Sequence, residues 1–286
     1  MRFKHIIWIS SIASGLCVLA RALQLSLMVD EKGFNLTSYE NYSAFVLVLL
    51  FLTAASLAVL GFQTHRCPAH PPKVSLTLAF PAVLYGGWMI FDVVHSFFSS
   101  KVPNWQIILL SAFGILTGVL FVLYGLKAFI KIKLPSVLFV LPVFYQLVRL
   151  LCVFISVSTL SLTSTHVLML ATDCTTLLFL LELAKSMCGI DKEKNYRMIL
   201  AVGISATFFC AVSTIPYIVV SLAGKQFILN ESYSSLILTF LAGAFIVAFL
   251  LSHFSMKNRQ ILKVSGPKTE DGEEEDPEAN SAYFTS

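Results

Sequence analysis

The chain has 286 residues, of which 57% are hydrophobic and 13% charged, with a formal net charge of +4. A soluble domain carries roughly a quarter charged residues, so this much apolar surface, at a mean hydropathy of +0.80, excludes a water-soluble core. The apolar runs have the length of a spanning helix rather than of an alternating strand, which excludes an outer-membrane barrel, and the basic residues sit at segment ends, which is no nucleic-acid signature.

Eight apolar segments follow in chain order, at 5–28, 43–62, 75–99, 105–130, 135–158, 165–187, 198–222 and 233–256. The fold expected is all-α: a polytopic membrane bundle of eight transmembrane helices over residues 1–256, solvated by the lipid bilayer. Residues 1–22 also carry the marks of a signal peptide, ending in Ala20-Arg21-Ala22. The apolar stretch continues through Met28, however, and an arginine at the cut is unfavourable, so the segment reads as a retained helix. Asn35, Asn41 and Asn230 begin acceptor-type triplets for glycosylation. His65, Cys67 and His70 offer three metal-donor atoms, but three clustered ligands beside two prolines fit a basic loop at the membrane edge better than a metal site. Gly114 and Gly118 form GxxxG on the fourth segment and predict close helix contact. Pro81, Pro142 and Pro216 predict kinks. Residues 257–286 read as a disordered cytoplasmic tail, basic at Lys257, Arg259, Lys263 and Lys268 and then acidic from Glu270 to Glu278.

Orientation follows from the lysines and arginines. Fifteen fall in the termini and even-numbered loops, against three (Lys32, Lys101 and Lys225) in the odd-numbered loops. The alternation supports both the helix count and a cytoplasmic position for the two termini, in a cell membrane. The halves carry hints of a 4+4 parallel repeat: Arg149 follows Arg21 by 128 positions, Gly243 follows Gly114 by 129, and Lys257 follows Lys127 by 130. None of the six cysteines lies in a predicted outer loop, so a disulfide framework is not expected.

Charged groups at membrane depth are costly and mark either function or a deliberate internal pairing. Arg21, Asp92, His95, Arg149, Asp173 and Glu182 are of this kind. Spacings of three and four gather Ser10, Ser14, Cys17, Arg21 and Gln24 on one face of the first helix. The same spacing gathers Tyr85, Trp88, Asp92, His95 and Ser99 on the third, and Tyr145, Arg149, Cys152 and Ser156 on the fifth. Arg149 lies twelve residues before the hairpin turn at Ser161 and Asp173 twelve after it, so an Arg149–Asp173 ion pair is expected at one depth. Glu182 near the inner end of its helix is set to pair with Lys185. Two readings stand side by side. Arg21, Gln24, Asp92, His95, Arg149 and Asp173 line an outward-facing pocket for a small polar or anionic solute, with the guanidinium groups suited to carboxylate or phosphate. Alternatively, two arginines and two aspartates, neutral in sum, only hold the helices in register, and the protein acts as a scaffold or signalling partner through its tail. No HExxH pair, phosphate-cradling loop, nucleophile elbow or dinucleotide fingerprint is present, so neither an enzyme nor a cofactor is expected.

The stretch Arg21-Ala-Leu-Gln-Leu-Ser-Leu-Met-Val-Asp-Glu-Lys-Gly-Phe34, with Leu141-Pro142 through Arg149, Phe154 and Ser156, resembles a group of uncharacterised multi-pass membrane proteins of anaerobic Gram-positive bacteria. Glu-Lys-Gly-Phe stands here where that group has Lys-Thr-Gly-Phe. The resemblance implies a bacterial cytoplasmic membrane and supplies no activity.

Overall fold

In a computed structural model the described residues form a bundle of eight helices long and apolar enough to cross a membrane. The structure describes residues 3–27, 40–63, 75–99, 104–130, 134–158, 164–190, 192–223 and 233–264. The helices are α1 (Phe3–Leu27), α2 (Glu40–Phe62), α3 (Leu76–Ser99), α4 (Trp105–Leu126), α5 (Leu141–Ser158), α6 (Ser164–Cys188), α7 (Lys192–Leu222) and α8 (Tyr233–Val264). There is no strand among the described residues, as lipid demands of a chain whose backbone must bond within each segment.

Several boundaries differ from the sequence expectation, two of them with a clear local cause or consequence. The fifth span opens with a 3₁₀ turn, Ser136–Val140, and α5 begins at Leu141. Pro142 therefore occupies a first turn, where its missing N–H costs nothing, rather than a kinked interior. Pro81 and Pro216 do lie inside α3 and α7. At the other end of the chain, α8 continues to Val264, so residues 257–264 extend the helix instead of starting the tail. Residues 265–286 and the triplet at Asn230 lie outside the described residues, as do Asn35 and the His65–Cys67–His70 cluster.

Helices α3, α4, α5, α6, α7 and α8 close a ring in which each packs on the next and α8 returns to α3. Helices α1 and α2 lie outside the ring against α7. The burial of the spans follows from this plan: 72% of the α7 window is buried, against 17% for α1 and 22% for α2. The two halves are thus packed unequally, since α5 and α6 make no contact with α3 comparable to that of α1 and α2 with α7.

Aromatic rings fill the middle of the ring. Tyr85 meets Phe121 edge-on at 4.9 Å, Phe121 meets Phe245 at 5.0 Å, and Phe179 meets Phe249 at 5.8 Å, arrangements that ring quadrupoles favour. Glycines set the closest approaches. Gly114, Gly118 and Gly125 of α4 all face α3 side chains or backbone, so the GxxxG contact is internal. Gly61 of α2 lies against the Ala201 backbone of α7, where an added Cβ would stand 2.6 Å from Ala201 Cα.

Candidate functional site

The polar side chains at membrane depth divide between two centres, one around each arginine. Arg21 is 1% exposed. It reaches this position because Ile6, Cys17, Arg21, Gln24 and Leu25 share the buried face of α1. Its Nη1 donates to Gln24 Oε1 at 2.6 Å and to Ser164 Oγ at 3.4 Å. Its Nη2 donates to Ser164 Oγ at 3.5 Å and Thr165 Oγ1 at 3.3 Å, both at the start of α6. Gln24 Nε2 in turn donates to Ser43 of α2 at 2.6 Å, and Thr165 shares a 2.6 Å hydrogen bond with the Tyr217 hydroxyl of α7. Arg21 Nε is buried with no hydrogen-bond partner. Among the described residues, then, this guanidinium is surrounded by amide and hydroxyl groups, with no carboxylate within ion-pair distance.

The second centre lies about 12 Å deeper along α6, eight residues on at 1.5 Å each. Arg149 Nε is 3.4 Å from Asp173 Oδ1, and its Nη2 donates to Thr239 Oγ1 at 3.1 Å and Ser235 Oγ at 3.4 Å, both on α8. The pair meets at Nε, while Nη2 is engaged by the α8 hydroxyls. Asp173 is 4% exposed and takes a shorter bond, 2.8 Å, from Gln146 Nε2. Gln146 Nε2 also approaches the Asp173 carbonyl oxygen at 3.4 Å. A cavity of about 10 Å³ lies beside this centre, lined by Arg149, Met169, Thr172, Asp173, Ser213, Thr214, Leu236 and Thr239. That is space for roughly one water with several polar partners. It is much smaller than the open outward-facing pocket expected from the sequence.

His95 joins neither centre, and Asp92 makes no ion pair among the described residues, although it stands close to Tyr145, which hydrogen-bonds with Arg149. Asp92 Oδ1 is buried without a hydrogen-bond partner, and His95 is exposed, with its ring 6.0 Å from that of Phe91. The cause is angular: a step of three residues turns about 60° around the helix axis, enough to carry His95 off the seam that holds Asp92. The four-charge neutral network is accordingly absent among the described residues, since only Arg149 and Asp173 of its members are paired. Glu182 Oε1 accepts from Lys185 Nζ at 2.7 Å, away from both centres. No group of three metal-ligating side chains occurs among the described residues.

Sequence reasoning missed Gln146, Ser164, Thr165, Tyr217, Ser235 and Thr239. Only Gln146 carried a usable signal, an amide three residues from an arginine in apolar text, mirroring Gln24 after Arg21. Leucine at Gln146 is expected to destabilise the bundle by about 1.5–3 kcal/mol, the usual weight of a hydrogen bond to a charged group. Unfolding in detergent by heat or denaturant measures it.

The chain is an integral membrane protein by its helices, and comparison with family models, curated proteins and solved structures finds no match.

Proposed function

We propose that the protein binds a small anionic solute at Arg21, as the first station of a path leading along α6 toward Arg149. The carrying observation is the buried guanidinium of Arg21 with only neutral partners among the described residues. A buried charge without a counter-charge costs several kcal/mol, so a carboxylate or phosphate oxygen arriving there recovers that cost as binding energy. The unpartnered Nε supplies a donor, and the hydroxyls of Ser164, Thr165 and Tyr217 can turn their protons toward the anion. Thr172, Ser213 and Thr214 line the small cavity at Arg149, where Asp173 already stands as the internal anion. A solute passing inward competes with Asp173 for that guanidinium. By the positive-inside count, Arg21 lies toward the outer face.

Thermal unfolding of the purified protein in detergent tests this, with acetate, phosphate and sulfate compared against chloride at equal ionic strength. One oxyanion class is expected to stabilise in proportion to the logarithm of its concentration above Kd, by about 2.7 kcal/mol at one hundred times its Kd. Gln24→Glu places a carboxylate on Arg21 Nη1. It is expected to raise stability without ligand and to abolish the oxyanion effect. Absence of any stabilisation by an oxyanion beyond that by chloride, or its survival in Arg21→Met, overturns the proposal.

A further inference from the structure

A groove of about 880 Å³, far larger than the cavity at Arg149, runs between α7 and α8 and ends at the foot of α3. Its depth comes from small residues. Ala211 on α7 and Ala244 and Ala248 on α8 line it, and at Gly243 the two helices approach so closely that an added Cβ would stand 2.9 Å from Cys210 Cβ. Its open side is apolar, for Phe240, Val247 and Leu251 at its rim are all exposed. In a bundle solvated by lipid, that opening faces hydrocarbon.

Length and charge say what fits. From Phe240 to Ser252 the groove follows twelve residue steps of α8, about 18 Å, slightly more than half of a hydrocarbon core of about 30 Å. It thus matches a chain from one leaflet rather than a molecule spanning both. Hydroxyls gather mainly at one end, where Ser75 and Thr77 lie 2.8 Å apart near Ser252, with Thr207 the single further hydroxyl on the α7 wall. That end is also the basic one. Helix α8 continues to Val264, and the sequence just past Ser252 carries Lys257, Arg259 and Lys263. We infer that this groove holds one acyl chain of an anionic phospholipid, with the headgroup at the Arg259–Lys263 end of α8. Apolar walls alone would accept any lipid; the basic run that follows the groove in the sequence selects the negative headgroup. The inference is independent of the solute reading, which uses no residue of the groove.

The test uses the full-length protein, delipidated in detergent and incubated with palmitoyl-oleoyl phosphatidylglycerol or the matching phosphatidylcholine, with bound lipid counted by native mass spectrometry. The expected result is one retained phosphatidylglycerol and a clear preference over phosphatidylcholine. Arg259→Gln and Lys263→Gln are each expected to reduce that preference roughly fivefold, and Ala244→Phe, which fills the groove, to remove the retained lipid. Equal retention of the two lipids overturns the inference, as does retention unchanged in Ala244→Phe. A dimer that separates on Ala244→Phe shows a second copy in the groove and overturns it equally. Should Ala244→Phe fail to fold, the two charge variants decide, and an unchanged headgroup preference in both sinks the idea.

Discussion

Alanine at Gly86 is expected to cost about 3 kcal/mol or more, and alanine at the adjacent Gly87 nothing. Both glycines lie inside α3, and in a helix interior alanine is favoured over glycine by roughly 0.5–1 kcal/mol, so propensity predicts a small gain at each. Packing separates them. A Cβ on Gly86 would stand 2.5 Å from Gly118 O and 2.9 Å from Val122 N, both backbone atoms of α4. A Cβ on Gly87 meets nothing within 4 Å. Overpacking in a core typically costs 1–3 kcal/mol when side chains can shift, but here the obstacle is the backbone, so α3 and α4 must part. The parting also strains the neighbouring contacts, since Gly118 faces the Gly86 carbonyl oxygen and Gly125 that of Ala79. Thermal unfolding in detergent, with size-exclusion profiles of the extracted protein, checks the pair. Equal behaviour of the two variants removes the tight α3–α4 seam from the account.

The same seam shows what the chain discloses before it folds. Gly114 and Gly118 announce a close helix contact, because only small residues let backbones approach in lipid, yet GxxxG names no partner. That the partner is α3 depends on the short α3–α4 connection and on Gly86 in the facing position. The eight spans are legible for a stronger reason: hydrocarbon thickness fixes their length, and the lysines and arginines mark alternate ends. Ends are less legible where a local rule intervenes, as at Pro142, which permits a 3₁₀ entry to α5. The common depth of Arg149 and Asp173 can be read from the hairpin count alone, and the structure sets them 3.4 Å apart. The hydroxyl partners cannot be read in this way. Thr53, Ser56 and Thr175 carry the same side-chain chemistry but bond to carbonyls of their own helices, and nothing in the sequence distinguishes them from Thr165, which bonds Tyr217 instead. Arg21 shows the limit best. Its cost is evident from its place in an apolar run, but its neutral surroundings depend on α6 and α7, which lie more than 140 residues away in the chain.

That difference between the two arginines carries the second large effect. Asp173→Leu is expected to cost about 3–5 kcal/mol, because it strands Arg149 as a buried charge, and Arg149→Met should cost a similar amount by stranding Asp173. The double variant should recover most of the loss, since two apolar side chains of similar volume leave no charge unpaired. Two features temper the single losses without changing their sign: Asp173 keeps the Gln146 amide, and Arg149 keeps Ser235 and Thr239. Arg21→Met should behave oppositely. With no carboxylate beside it among the described residues, removal of the guanidinium leaves only neutral hydroxyl and amide groups to re-pair, and stability should hold or rise in the absence of ligand. Denaturant unfolding of the four variants in one detergent makes the comparison. If Arg21→Met loses as much as Asp173→Leu, an internal counter-charge already balances Arg21, and the case for an anion site there loses its footing. If Arg21→Met is neutral while the Arg149–Asp173 cycle shows strong coupling, one arginine holds the bundle together and the other is kept charged at a cost in stability, as functional residues often are.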